Sequence, residues 1–247
     1  KVSDGHAGSG PSPFVAEFHH AEIEEGPMGH MVEDRHMRAA LQSALDRAAR
    51  VTRVHGKTLA AQMPDLAGVT ATLSDGTTLR AATLIGCDGR NSGTAARAGI
   101  RHRRHDYGQS ALVCAIAHAR PHTGVAHQFF MPEGPLAVLP LQGNRASIVW
   151  TEATDRAAAI QALSDADYLE VLRPRFGDFL GRITLAGARW SFPLGLSLAD
   201  SFIADRVALA GDAAHAVHPI AGQGLNAGLR DAAALAEVLT LAKRRGE

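Results

Sequence analysis

Apolar and polar positions along this chain repeat with two periods, and the change of period marks its elements. Across 14–23, Phe14, Ala16 and Phe18 alternate with Val15, Glu17 and His19, which suggests an extended strand. The adjacent His19 and His20 would point to opposite faces of such a strand, so they read as surface residues rather than a ligand pair. Gly26-Pro27 breaks the chain. Met37, Leu41, Ala44, Leu45 and Ala48 then recur at three- and four-residue steps and predict a helix over 33–49. Residues 69–73 and 78–81, joined by Ser74-Asp75-Gly76, predict a hairpin, and 82–87 reads as a buried strand. Four more strand-like segments, 111–117, 126–131, 136–141 and 146–150, are separated by Pro121, Pro132-Glu133-Gly134-Pro135 and Gln142-Gly143-Asn144. They predict a mainly antiparallel sheet laid out as a meander. Helices are expected over 155–163 and 165–176, with Thr154 and Ser164 as N-caps.

The most organised stretch is 206–237. Val207-Ala208-Leu209-Ala210 is a short apolar strand that breaks at Gly211-Asp212 and leads through the loop 212–222 into a helix. In that helix Leu225, Leu229, Ala232, Ala236 and Leu239 line one face. Gly222, Gly224 and Gly228 lie at its start, where missing side chains admit a ligand or another backbone. No acidic residue occurs there before Asp231, so the free N–H groups and the helix dipole favour an anionic group. Asp212 falls where a strand ends, the place where open α/β sheets bind ligands. The same spacing also describes a packing helix with no ligand, because glycine-rich turns alone are weak evidence.

The residue types are more specific than the spacing. Gly211-Asp212-Ala213-Ala214-His215, Pro219 and Gly222-Gln223-Gly224-Leu225-Asn226 resemble the second flavin-binding motif of the FAD-dependent aromatic hydroxylases, the p-hydroxybenzoate hydroxylase family. The resemblance implies that Asp212 accepts a hydrogen bond from a ribityl hydroxyl of FAD. It also implies that N–H groups near Leu225 and Asn226 face the pyrimidine edge of the flavin, and that Pro219 lies near the ring. Asp88-Gly89-Arg90-Asn91-Ser92 resembles the family's middle motif, which implies that Asp88 touches the nucleotide and links this segment to the nicotinamide cofactor. An aspartate-glycine pair is also an ordinary tight turn. Cys87 stands where relatives commonly carry alanine, and the change reads as packing. Arg35 lies in the first turn of a predicted helix, where a cation opposes the dipole. Arg35-x-x-Arg38-x-x-Leu41 resembles the family pattern whose arginine contacts the flavin nucleotide; a solvated arginine is the alternative.

Residues 134–141, Val149-Trp150-Thr151-Glu152 and 218–226 narrow the resemblance to the ubiquinone-biosynthesis hydroxylase branch. That branch implies FAD as cofactor, NAD(P)H as reductant, O2, and a hydrophobic, polyprenylated phenol as substrate. It implies a cytoplasmic protein that associates with the inner membrane surface or with a ubiquinone-biosynthesis complex. The implied fold is α/β (α+β), a partial Rossmann-like FAD-binding domain with an inserted, mainly antiparallel β-sheet substrate domain. Residues 1–30 would cross over as part of the substrate lobe, 31–100 and 196–247 would form the FAD-binding part, and 101–195 the substrate sheet. The sequence selects no catalytic base. The family's strand–Gly-x-Gly-x-x-Gly–helix, with its acidic residue beyond, does not occur in these 247 residues. The expectation is an inactive fragment that holds FAD poorly or not at all.

Composition adds exclusions. Lys plus Arg and Asp plus Glu are 25 each, so charge suggests no nucleic-acid partner. Cys87 and Cys114 make no disulfide framework, which fits a reducing cytosol. No secretory signal and no apolar run of membrane-spanning length is evident. Asp212, His215 and His218 repeat at three-residue spacing, but Pro219 opposes a helix there, so hydrogen bonding is expected rather than a metal. Three rivals stay open: a nicotinamide dehydrogenase, a related FAD-dependent oxidoreductase of the prenyl reductase type, and a non-catalytic scaffold with the flavoprotein fold. The loop after Gly211 is too long for the pyrophosphate turn of the first.

Overall fold

The structure is a computed structural model that describes residues 1–6, 10–22 and 26–246. The chain forms two compact units, Lys1–Val51 with Gly108–Leu194, and Thr52–Tyr107 with Gly195–Glu247. It is a mixed α/β fold, as the sequence implies.

The chain begins in the first unit with β1 (Val2–His6) and β2 (Gly10–Ala16), an antiparallel pair. The strand expected over 14–23 stops at Ala16. His20–Glu22 forms a single 3-10 turn, in which the His19 ring accepts the Ala21 N–H, and residues 23–25 lie outside the described residues. Helix α1 (Asp34–Arg47) follows, and Leu41 and Leu45 on its apolar face are exposed.

The second unit opens with the antiparallel sheet β3 (Leu59–Asp65), β4 (Gly68–Leu73) and β5 (Thr78–Ala81), whose last two strands are the expected hairpin. Next come β6 (Leu84–Gly86) and the short α2 (Gly93–Arg97). The long β7 (His102–His118) carries the chain into the first unit, where β8 (His127–Met131), β9 (Gly134–Leu141) and β10 (Arg145–Ala153) follow. Helices α3 (Thr154–Gln161) and α4 (Asp165–Phe176) and the short β11 (Ile183–Leu185) complete that unit. β12 (Trp190–Ala199) returns to the second unit, which ends with β13 (Ile203–Ala204), β14 (Val207–Leu209), β15 (His215–Ala216) and α5 (Gln223–Arg245).

The sheet of the first unit runs β7-β10-β9-β8-β1-β2, with β11 also on β7. The expected meander covers only β8 to β10. β7 pairs antiparallel with β10, Val113 opposite Val149, so the link from β7 to β8 passes two strands, β10 and β9. Leu112, Cys114 and Ile116 of β7 alternate inward with Leu136, Val138, Ile148 and Trp150. Tyr168, Leu172 and Phe176 belong to the same core and recur on one face of α4. The Ser164 hydroxyl accepts the Asp167 N–H at 3.2 Å and caps α4 as expected. Thr154 does not cap α3. β10 runs straight into that helix, Thr154 is its first residue, and Ala153 holds the cap position without a side-chain bond.

Candidate functional site

In the second unit, β6 and β14 are parallel neighbours, with Leu84 opposite Val207 and Gly86 opposite Leu209. Parallel strands in register end at the same sheet edge. The turns that carry Asp88 and Gly211-Asp212 therefore leave that edge side by side, and the Ala210 N–H still donates to the Gly86 carbonyl at 3.0 Å. Gly86 must be small: a Cβ there would lie 2.9 Å from both Leu209 and Thr94 side-chain atoms.

The carboxylates of this edge and its helix have different environments. Asp88 is engaged. Its Oδ1 accepts the Ser92 hydroxyl at 2.5 Å, and its Oδ2 accepts both the Thr94 N–H and the Thr94 hydroxyl at 2.9 Å. Ser92 in turn caps α2 through the Ala95 N–H at 2.9 Å. Partial burial opposes ionisation of Asp88, but these donors hold its carboxyl below the usual range. With the folded value below the unfolded one, the stabilisation is present above the ordinary carboxylate pKa and is lost as pH falls through the folded value. Urea unfolding of wild type and Asp88→Asn is therefore expected to show its full gap at pH 6 and a narrowing gap below about pH 4. Asp231, on α5, accepts the Gly211 N–H at 2.8 Å and the His215 Nε2–H at 2.7 Å. Asp212 is exposed, and among the described residues no hydrogen bond or ion pair engages its carboxylate.

Helix α5 meets the Asp212 turn without intervening side chains. A Cβ on Gly228 would lie 3.2 Å from the Gly211 Cα, and Gly211 itself has a φ of +61°, where glycine is favoured. The helix start, five residues before Gly228, is about 8 Å along the axis from this contact. Gly222 occupies its N-cap position at φ +61°, no side chain caps it, and its first turn holds no acidic residue. A Cβ on Gly224 would meet nothing within 4 Å, and Leu225 and Asn226 are exposed. Pro219 opens a 3-10 turn, Pro219–Ala221, whose Ile220 N–H donates to His218 Nδ1 at 3.2 Å. Burial lowers the His218 pKa, which keeps that nitrogen available as an acceptor. Among the described residues, no group of three or more His, Cys, Asp or Glu side chains is placed to hold a metal ion.

Two further residues that the sequence singles out have surroundings of their own. Arg35 belongs to the first unit, is exposed, and pairs at 2.7 Å with Glu33, which also accepts from Arg145 at 2.9 Å. Burial opposes ionisation of Glu33, but the two guanidiniums hold its carboxyl below the usual range. Glu33 occupies the α1 N-cap position, so its charge offsets the cation in the first turn. Cys87 is exposed, which corrects its reading as a packing residue. Desolvation of the sulfur by its neighbours, and then the nearby Asp88 and Asp231 carboxylates, raise its pKa and keep it a thiol. Sequence reasoning missed the role of Asp231, whose signal was an acid, the first of two with Glu237, inside a largely apolar helix.

Two parallel strands releasing an aspartate that has no partner among the described residues, near a helix start without a side-chain cap, form the kind of site where α/β proteins bind anionic ligands. Residues 13–246 match the FAD binding domain family, and the chain belongs to it. The chemistry of the site fits that cofactor: a carboxylate with no partner among the described residues can accept from a hydroxyl, and a helix start without a side-chain cap suits an electron-rich ring edge. The chain is 46% identical over 237 residues to the ubiquinone hydroxylase UbiL of Rhodospirillum rubrum, covering 96% of this chain and 55% of that protein. It is 36% identical over 231 residues to the 3-demethoxyubiquinol 3-hydroxylase of Escherichia coli, covering 93% of this chain and 59% of that one. The chain thus spans little more than half the length of these relatives. Among solved structures, Pseudomonas aeruginosa PqsL in complex with 2-aminobenzoylacetate superposes with a TM-score of 0.79 at 25% identity, covering 100% of this chain and 68% of that one.

Proposed function

We propose that this chain handles flavin and substrate in a monooxygenase of ubiquinone biosynthesis, one that hydroxylates the ring of a hydrophobic, polyprenylated phenol. FAD is the cofactor, NAD(P)H the reductant and O2 the oxygen source. The carrying observation is the Asp212 carboxylate, exposed at the sheet edge and without a partner among the described residues, while Asp88 and Asp231 are both engaged. When bound, FAD supplies the oxygen-activating redox chemistry. Asp212 accepts a ribityl hydroxyl and fixes the sugar chain. The N–H groups at Leu225 and Asn226, with the α5 dipole, stabilise negative charge on the ring edge. Pro219 shapes the space beside the ring, and Gly211, Gly222 and Gly224 keep the approach open. Arg35 and the Asp88 turn contact the nucleotide portion. In this reading 31–100 and 196–247 serve the cofactor and 101–195 the substrate.

The reading places the protein in the cytoplasm, at the inner membrane face or in a ubiquinone-biosynthesis complex. None of the described helices is long and apolar enough to cross a membrane. The full-length gene product is expected to oxidise NAD(P)H faster when a short-chain prenylphenol is added, and to release the ring-hydroxylated product. FAD binding without phenol hydroxylation would favour a prenyl reductase type of activity instead. Absence of both would favour a scaffold.

A further inference from the structure

Asp212 is the exposed member of a turn that is otherwise fastened. Ala213 and Ala214 are fully buried. The Ala213 carbonyl accepts from His102 Nε2 at 2.9 Å, and the Ala214 carbonyl accepts the Ala199 N–H at 2.8 Å. The Ala214 N–H closes the turn on the Gly211 carbonyl, also at 2.8 Å. Both ends of the turn then reach the same atom on α5. Asp231 Oδ2 takes the Gly211 N–H at 2.8 Å and the His215 Nε2–H at 2.7 Å. One oxygen, fixed on a helix, therefore sets the distance between the residue before Asp212 and the ring three residues after it. The bare contact of Gly211 with Gly228 lets the helix come close enough for this.

We infer that Asp231 is the positioning residue for Asp212: it presents that carboxylate to the cofactor by tying both ends of its turn to helix α5. The inference rests on the proposed flavin role of Asp212. An ionised acceptor makes stronger bonds than a neutral one, and it draws both donors inward at once. Without it, Gly211 and His215 are released together, and Asp212 loses the fixed geometry that a single hydrogen bond to a flexible ribityl chain requires.

The test is a double-mutant cycle on FAD affinity, read by flavin fluorescence in the full-length gene product, with amide hydrogen exchange across 211–215 in the absence of FAD. Asp231→Ala is expected to weaken FAD binding about tenfold in the wild-type background. In an Asp212→Ala background it should cost less than about twofold, because the residue it positions is gone. Asp231→Asn, which keeps an acceptor oxygen, should fall between wild type and Asp231→Ala. Exchange across 211–215 should accelerate about tenfold in Asp231→Ala and stay unchanged in Asp212→Ala. An equal loss of affinity in both backgrounds would show that Asp231 supports the helix independently of Asp212 and would overturn the inference. Unchanged exchange in Asp231→Ala would overturn it as well. If wild type binds no FAD, the proposed function fails, and the exchange result alone decides whether Asp231 holds the turn.

Discussion

Replacing Glu152 with alanine is expected to remove about 3–5 kcal/mol from the stability of the first unit, the largest effect anticipated for one substitution in this chain. Glu152 is 1% exposed, and its Oε1 accepts the Trp150 indole N–H at 2.9 Å and the Arg175 guanidinium at 3.2 Å. Arg175 is 5% exposed and lies 4.3 Å over the Trp150 ring. Arg156 approaches the other carboxylate oxygen at 3.4 Å from a half-exposed position. Alanine would leave a buried guanidinium without its counter-charge and an indole N–H without its acceptor, each in the centre of the sheet–helix core. The penalty comes from leaving a partner behind. Replacing both ends of the pair, Glu152→Leu with Arg175→Met, should therefore cost less than Glu152→Ala alone. Urea unfolding followed by circular dichroism checks this, and a loss below about 1 kcal/mol for Glu152→Ala would assign the pair no structural weight.

Asp212→Ala is expected to reduce FAD affinity by about 10- to 150-fold, the range for losing a hydrogen bond to a charged acceptor. It should change folding stability by less than about 0.5 kcal/mol, since the side chain is exposed and has no partner among the described residues. Asp212→Asn should lose less, because the amide oxygen still accepts. The division between affinity and stability is what separates Asp212 from Asp88, whose bonds to Ser92 and Thr94 make its removal a folding defect first. Equilibrium titration of the full-length gene product with FAD, beside unfolding curves, tests both halves.

Elements with one face buried were the most legible in the sequence. β7, β9 and β10 show inward positions at every second residue because each lies on the helix-covered face of a sheet, and α4 shows its Ser164 cap directly. β3 was not legible. It is an edge strand with mostly exposed side chains, so it carries little hydrophobic contrast, and Pro64 within it argues against a strand unless the edge position is known. The pairing of β7 with β10 has no local signature, since neighbouring strands in sequence suggest hairpins first. Glu152 shows both limits together: Val149-Trp150-Thr151-Glu152 points to a family branch, while its physical role depends on an arginine 23 positions away. At the site, residue types around 211–226 carry the resemblance to a flavin motif. That Asp212 has no partner among the described residues, while Asp231 is occupied, emerges only when α5 is set against the turn.

The most direct test is an experimental structure of the full-length gene product with FAD. It should place a ribityl hydroxyl within about 3 Å of the Asp212 carboxylate and the flavin pyrimidine edge against the N–H groups at Leu225 and Asn226. A flavin bound elsewhere, with Asp212 facing solvent or a protein donor, would contradict it.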